Sequence, residues 1–396
     1  MSRAKLIGGR GITPEEAIDI RQTVFGSASA PPRGEWTRTG LTFTHNPHDP
    51  YPFGLKSTKN ATRGLQSVVQ AFLTKYFIFD NRPKEKSVPL DKLLKPTDLE
   101  QVTALWNSIS EILWNVGEKQ KTIVCLPGEI QHISHSHQYF QDNITEKLCV
   151  FEFNKLEDLQ IFIKRYLFYF SDDPGPGCLL LLYSAVWTRG FENTRTDLDC
   201  PKGAHLMGNA EEGSLNIVTL LLSGRATPYL HNGVVYVGDE DHYALPQFGI
   251  LCRSRVGLLI WDGEGINVTS RQPGSRLKTP GLPIWVTCCM GHYGVVFNSN
   301  RELLRNYHAE KRFELHHYTC AGIFITMTVD NRSQDEEVGG ENEDKTLQRS
   351  NSKEDVKGSD GGANLQASPL EKLIHTKWAD GKIKFHTIID QAKLNL

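Results

Sequence analysis

No apolar run in this 396-residue chain reaches the length that crosses a bilayer; GCLLLLYSAVW, residues 177–187, is about half of it. Nor is there a basic surplus. The formal net charge is −2 and the isoelectric point is near 6.7, which argues against nucleic acid as a partner. The opening MSRAKLIGGRGITPEEA lacks the apolar core of a secretory signal. No CxxC pair exists. The eight cysteines, Cys125, Cys149, Cys178, Cys200, Cys252, Cys288, Cys289 and Cys320, are scattered and mostly flanked by apolar residues. Without a secretory signal they read as reduced thiols, so the expectation is an intracellular protein, cytoplasmic or nuclear, with no membrane partner. There is no internal repeat. Residues 331–365 contain no aromatic residue, and their nine acidic side chains outnumber five basic ones. Such a stretch cannot bury enough apolar surface to order itself and is expected to be a disordered insertion.

What is present suffices for a sizeable core, since 39% of residues are hydrophobic. Thr13 is a good helix N-cap, Pro14 suits the first helical position, and Gly26 can end that helix. Apolar spacing predicts further helices over 65–80, 97–117 and 156–170. CLLLLYSAVWTRG is apolar enough for a buried helix, and SLNIVTLLLSG forms another ending at Gly224. KTIVCLPG and KLCVFEFN read as strands, and LTFT as a short one. From residue 231 onward strands dominate: GVVYVG, VGLLIW, PIWVTCC, YGVVFN, FELHHYT and GIFITMTV. A helix-rich first half followed by a strand-rich second half is the α+β pattern. The expected organisation is a domain over 1–330, the acidic insertion over 331–365, and a segment over 366–396 that regains apolar content and returns to the domain.

Several clusters could carry chemistry. In EIQHISHSHQYF, strand alternation would set His135 and His137 on one face as metal ligands, with His132 nearby; no third ligand is identifiable, so the segment reads as a polar strand and no metal is expected. Cys288, Cys289 and His292 are close in sequence, but a histidine that activates a thiol usually arrives from another part of the chain, so both cysteines read as core thiols. RSNSKED offers a phosphorylation context at Ser352.

The stretch STKNATRGLQSVVQAF, residues 57–72, runs a polar loop into an apolar-patterned helix at Arg63-Gly64. YPFGLKSTKNATRGLQSVVQAFL resembles the approach to the active site in the MINDY deubiquitinases, a family of papain-like cysteine peptidases that cleave ubiquitin chains. LLLLYSAVWTRG (179–190), LKTPGLPIWVTCCMGHYGVVF (277–297), PLEKLIHTKW and VFGS…EW resemble other segments of the same family, in the same order. The resemblance implies a papain-like variant of the α+β class, with no cofactor, and ubiquitin or polyubiquitin as partner. It also implies the site. The family's histidine falls on His292. Its nucleophilic cysteine falls on Arg63, and its oxyanion-holding glutamine on Ser57. Asn60, Ala61 and Thr62 replace the glycines of the loop. An arginine has no nucleophile and keeps its proton at any working pH. The expected catalytic set is therefore vestigial, and the expected protein is an inactive ubiquitin hydrolase. Thr62 and Ser57 are the residues that could displace the lost nucleophile, and a hydroxyl needs stronger activation than a thiol.

Overall fold

The computed structural model describes residues 4–43, 50–57, 59–81, 88–199, 203–208, 212–238, 245–263, 272–332 and 367–390. The acidic stretch therefore lies outside the described residues except for Asn331 and Arg332, and so does Ser352.

Helices fill the first half. Pro14–Phe25 opens with a capping box in which the Thr13 hydroxyl accepts from Glu16 N–H and the Glu16 carboxylate accepts from Thr13 N–H. It closes at Gly26 in the left-handed conformation. Asp98–Val116 opens with the same device at Thr97 and Glu100. Gly177–Arg189 runs through the centre, with every side chain from Cys178 to Ala185 fully buried. It packs on β2 (Thr122–Pro127), which pairs antiparallel with β3 (Leu148–Phe153); the two-residue β1 (Arg10–Gly11) covers the other edge of β3.

The second half is a six-stranded sheet. Its strands are β6 (Gly257–Trp261), β7 (Ile284–Cys289), β8 (His292–Phe297), β9 (Arg312–Tyr318), β10 (Ile323–Asp330) and β11 (Lys382–Asp390), in spatial order 11-10-9-8-7-6. Only β6 and β7 run parallel. Both faces are covered, and the two-residue period of a strand sorts side chains between them. Ile284, Val286, Val295 and Phe297 face the helical body, against which the helix Arg63–Lys75 packs. Trp285 and Val296 face a second core with Leu315, Met327, Val329 and Trp378, closed by the helix Pro369–His375. A separate hairpin, β4 (Val234–Val237) with β5 (Leu245–Phe248), stands largely exposed. The arrangement is α+β. Among the described residues no helix is long and apolar enough to cross a membrane.

Some local expectations fail for physical reasons. LTFT contributes only an isolated bridge, Phe43 to Leu55. The 65–80 helix is present, α-helical over Arg63–Lys75 and continuing as a π-turn over Tyr76–Asp80. The 156–170 helix breaks after Arg165, where Tyr166 leaves helical geometry, and resumes at Phe168–Ser171. The histidine segment is not a strand. It holds one isolated bridge, the tight turn from Ser136 to Tyr139, with His132 N–H donating to Glu146 O and Phe140 N–H to Ala28 O, and His135 packs edge-on against Phe140. Its residues therefore share no alternating face. Among the described residues no group of three or more His, Cys, Asp or Glu could hold a metal.

Candidate functional site

The loop into the helix Arg63–Lys75 is tied down at several points. Ser57 N–H donates to Cys320 O at 3.0 Å, Ala61 N–H to Glu35 Oε2 at 2.8 Å, and Arg63 N–H to Asn60 O at 2.9 Å. Thr62, the N-cap residue, makes no side-chain cap. Its hydroxyl is buried and donates to Gln66 Oε1 at 3.2 Å. The Ser57 hydroxyl turns onto its own loop, donating to Lys59 O at 3.0 Å and accepting from Lys59 N–H at 3.1 Å.

Arg63 is the first helical residue, where a cation meets the positive end of the helix. The structure relieves this with Glu212. Arg63 Nη1 donates to Glu212 Oε1 at 2.9 Å, and the Arg63 and Glu212 side chains are 18% and 4% exposed. The same oxygen lies 3.1 Å from Nδ1 of His292, whose side chain is 69% exposed. Glu212 Oε2 accepts from Tyr293 N–H at 2.8 Å, and Glu212 O accepts from Gly64 N–H at 2.9 Å. A Cβ at Gly64 would meet Glu212 O and the Tyr293 ring at 3.2 Å, a tight contact, so the glycine lets this segment approach closely.

His292 is presented by a two-residue turn. Met290 and Gly291 have φ of 53° and 81°, the double positive φ of the tightest hairpins. That turn sets Cys289 opposite His292 in the β7–β8 register. Neither Cys288 nor Cys289 is activated, because burial pushes both thiols up to about 11. The structure thus brings Arg63 and His292 to one carboxylate. Ser57 bonds instead with Lys59 and with Cys320 O.

The geometry joins a helix start to the mouth of a β-hairpin, the places where the sequence resemblance set a cysteine and a histidine. The model of the family described as "Deubiquitinating enzyme MINDY-3/4, conserved domain" matches residues 21–387. The chain belongs to this family. It is 32% identical over 318 residues to the "Probable ubiquitin carboxyl-terminal hydrolase MINDY-4" of Xenopus tropicalis, covering 79% of this chain and 40% of that protein. To the human protein of the same name it is 28% identical over 373 residues, covering 93% and 45%. To human "Ubiquitin carboxyl-terminal hydrolase MINDY-3" it is 30% identical over 128 residues, covering 32% and 27%. The chain thus spans less than half the length of the curated relatives it matches. No solved structure matches it.

Sequence reasoning missed Glu212 in this MINDY-3/4 domain. It stands 149 residues from Arg63 and 80 from His292, outside every quoted motif. An acidic pair, Glu211-Glu212, carries no spacing signal. The one available hint was the unpaired charge that an arginine brings to a helix start. A cavity of about 790 Å³, lined in part by Arg189, Asp197, Arg225 and Phe248, includes neither Arg63 nor His292.

Proposed function

We propose that this MINDY-3/4 domain is a ubiquitin-hydrolase fold without cysteine chemistry, which binds ubiquitin or polyubiquitin and does not cleave it. The observation that carries the reading is Arg63, fixed to Glu212 at the helix start where the resemblance sets the nucleophile. The relatives' names, which call them ubiquitin carboxyl-terminal hydrolases, support ubiquitin as the partner. The seven described cysteines are all free thiols, which fits the reducing setting of an intracellular protein.

A displaced nucleophile is the rival reading. Burial opposes it. Cys320, near Arg63, is 2% exposed, and burial pushes its thiol up to about 12. Cys178 is fully buried and its thiol is raised for the same reason. A nucleophilic cysteine needs the reverse, a lowered thiol in an accessible electropositive place. The hydroxyls of Thr62 and Ser57 are already engaged in their own loop and helix.

The test is a titration of labelled mono- and polyubiquitin, run beside incubation with an electrophilic ubiquitin probe. Saturable binding without an adduct is expected. Time-dependent adduct formation, mapped to any residue by mass spectrometry, would refute the inactive reading. Absence of binding to every chain type would leave a scaffold with no ubiquitin affinity.

A further inference from the structure

In a hydrolytic constellation the base needs a third group that holds its ring, because the base must present its lone pair to the nucleophile and its N–H elsewhere. A neutral imidazole carries one N–H, on either nitrogen, and the hydrogen bond made by one nitrogen decides which. His292 has such a bond. Its Nδ1 lies 3.1 Å from Glu212 Oε1, a carboxylate that can only accept while ionised, so Nδ1 must be the donor.

Glu212 is held independently of Arg63. Its main-chain oxygen accepts from Gly64 N–H and its second carboxylate oxygen from Tyr293 N–H, next to the histidine. It therefore spans the gap between the helix start and β8 with its own backbone and both side-chain oxygens. Arg63 uses only one of those oxygens, through Nη1, and its Nε is buried without a partner. An acid that served only as a counter-ion would need neither the Tyr293 N–H nor the imidazole.

We propose that Glu212 is a positioning residue for His292: it fixes the ring as the Nδ1–H tautomer and leaves Nε2 as an unprotonated lone pair at the exposed mouth of the site. The base arm of a cysteine-hydrolase arrangement then remains assembled around a position that carries a guanidinium. Glu212 holds both the imidazole and the cation that replaced the nucleophile. This extends the inactive-hydrolase reading, on which the word base depends, but its readout does not depend on ubiquitin binding.

The experiment is nitrogen-15 NMR of the histidine side chains in the full chain, at a pH where His292 is neutral, with its signals assigned by their loss in His292→Gln. Free imidazole favours the Nε2–H form. The expected result is Nδ1–H in the wild type, the same tautomer in Arg63→Met, and a shift toward Nε2–H in Glu212→Ala, with Glu212→Asp partly restoring the wild-type pattern. An Nε2–H ring in the wild type would overturn the proposal without any variant having to fold. Loss of the Nδ1–H form in folded Arg63→Met would also overturn it, because Glu212 would then be placed by the arginine and not by its own backbone. A failure of the ubiquitin titration would leave the tautomer result standing, so the two readings fail separately.

Discussion

Arg21 and Arg63 each pair with a carboxylate distant in sequence, and their surroundings differ in kind. Arg21 is wholly buried and its partner Asp142 is 3% exposed. Arg21 Nη1 donates to Asp142 Oδ2 at 2.7 Å, Nη2 to Ala30 O, and the guanidinium lies 5.8 Å from the Phe25 ring. Asp142 also accepts from Ile144 N–H, Thr145 N–H and the Thr145 hydroxyl. Every bond in that cluster serves the chain's own geometry. The Arg63 pair is more open, and its carboxylate is shared with an exposed histidine. The first arrangement reads as architecture and the second as a site. The lesson is that an ion pair is informative through what else touches it, since the N–O distances, 2.7 and 2.9 Å, are nearly the same in the two.

The sharpest test of this contrast is removal of the acid from the interior pair. Asp142→Ala leaves a fully buried guanidinium unpaired and strips two backbone donors of their acceptor. A loss of about 3–5 kcal/mol is expected in urea unfolding, the usual result of breaking a buried pair from one side. A loss below about 1 kcal/mol would mean that water or a rearranged loop replaces the carboxylate, and the two pairs would not differ as argued.

Two histidines extend the comparison. His292 sits at the mouth of the β7–β8 hairpin, whereas His317 on β9 lies behind Gly294, whose hydrogen leaves room for the His317 ring at a point where a side chain would come within 2.4 Å of Nε2. Burial pushes the His317 imidazole down to about 4. Its folded value is below its unfolded one, so the stability it contributes is fully present above about 6.5 and is lost as pH falls toward 4, because the unfolded chain takes up the proton first. The loss is on the order of 2–3 kcal/mol across that window. His317→Gln should flatten the fall in melting temperature between pH 6.5 and 4.5, where depressed carboxylates such as Glu16 and Glu100 still hold their charge. An unchanged slope would show that His317 is protonated inside the fold.

Removing the cation of the site pair should cost less than breaking the interior one. Arg63→Met leaves Glu212 with the Tyr293 N–H and the His292 Nδ1–H, and it relieves the charge at the helix start. A loss of about 1–2 kcal/mol is expected, the ordinary cost of a buried acceptor left partly satisfied. A loss as large as that of Asp142→Ala would make the Arg63–Glu212 pair a structural element like the interior one.

The same contrast explains which features the sequence made legible. Thr13, Gly26 and Gly224 are local signals, and each marks a helix end as expected. β7 and β8 are legible as short apolar runs because both faces of the sheet are buried there. Leu99 and Val102 share the apolar spacing of the Asp98–Val116 helix and yet are exposed, since that helix buries its residues from Ala104 onward. LPQF, the strand β5, carries a proline and no alternation, and only its partner β4 makes it a strand. At the site the helix start and His292 could be read from motifs. Glu212 could not, because its role arises only when the chain brings three distant segments together.

The smallest expected effect concerns His292. Its side chain is mostly exposed and makes one polar contact, with a carboxylate that keeps Tyr293 N–H and Arg63 without it. His292→Ala should therefore cost no more than about 1 kcal/mol in chemical unfolding, within the range of substitutions that create no cavity and bury no orphaned group. The comparison with His317 makes this more than an expected silence. His317→Gln should alter the pH dependence of stability, whereas His292→Ala should abolish one imidazole signal in the nitrogen-15 spectrum at little cost in stability. A loss beyond about 2 kcal/mol would show that the imidazole is needed to neutralise Glu212, placing His292 in the architecture alongside Arg21 and removing the ground for treating this end of the sheet as a site.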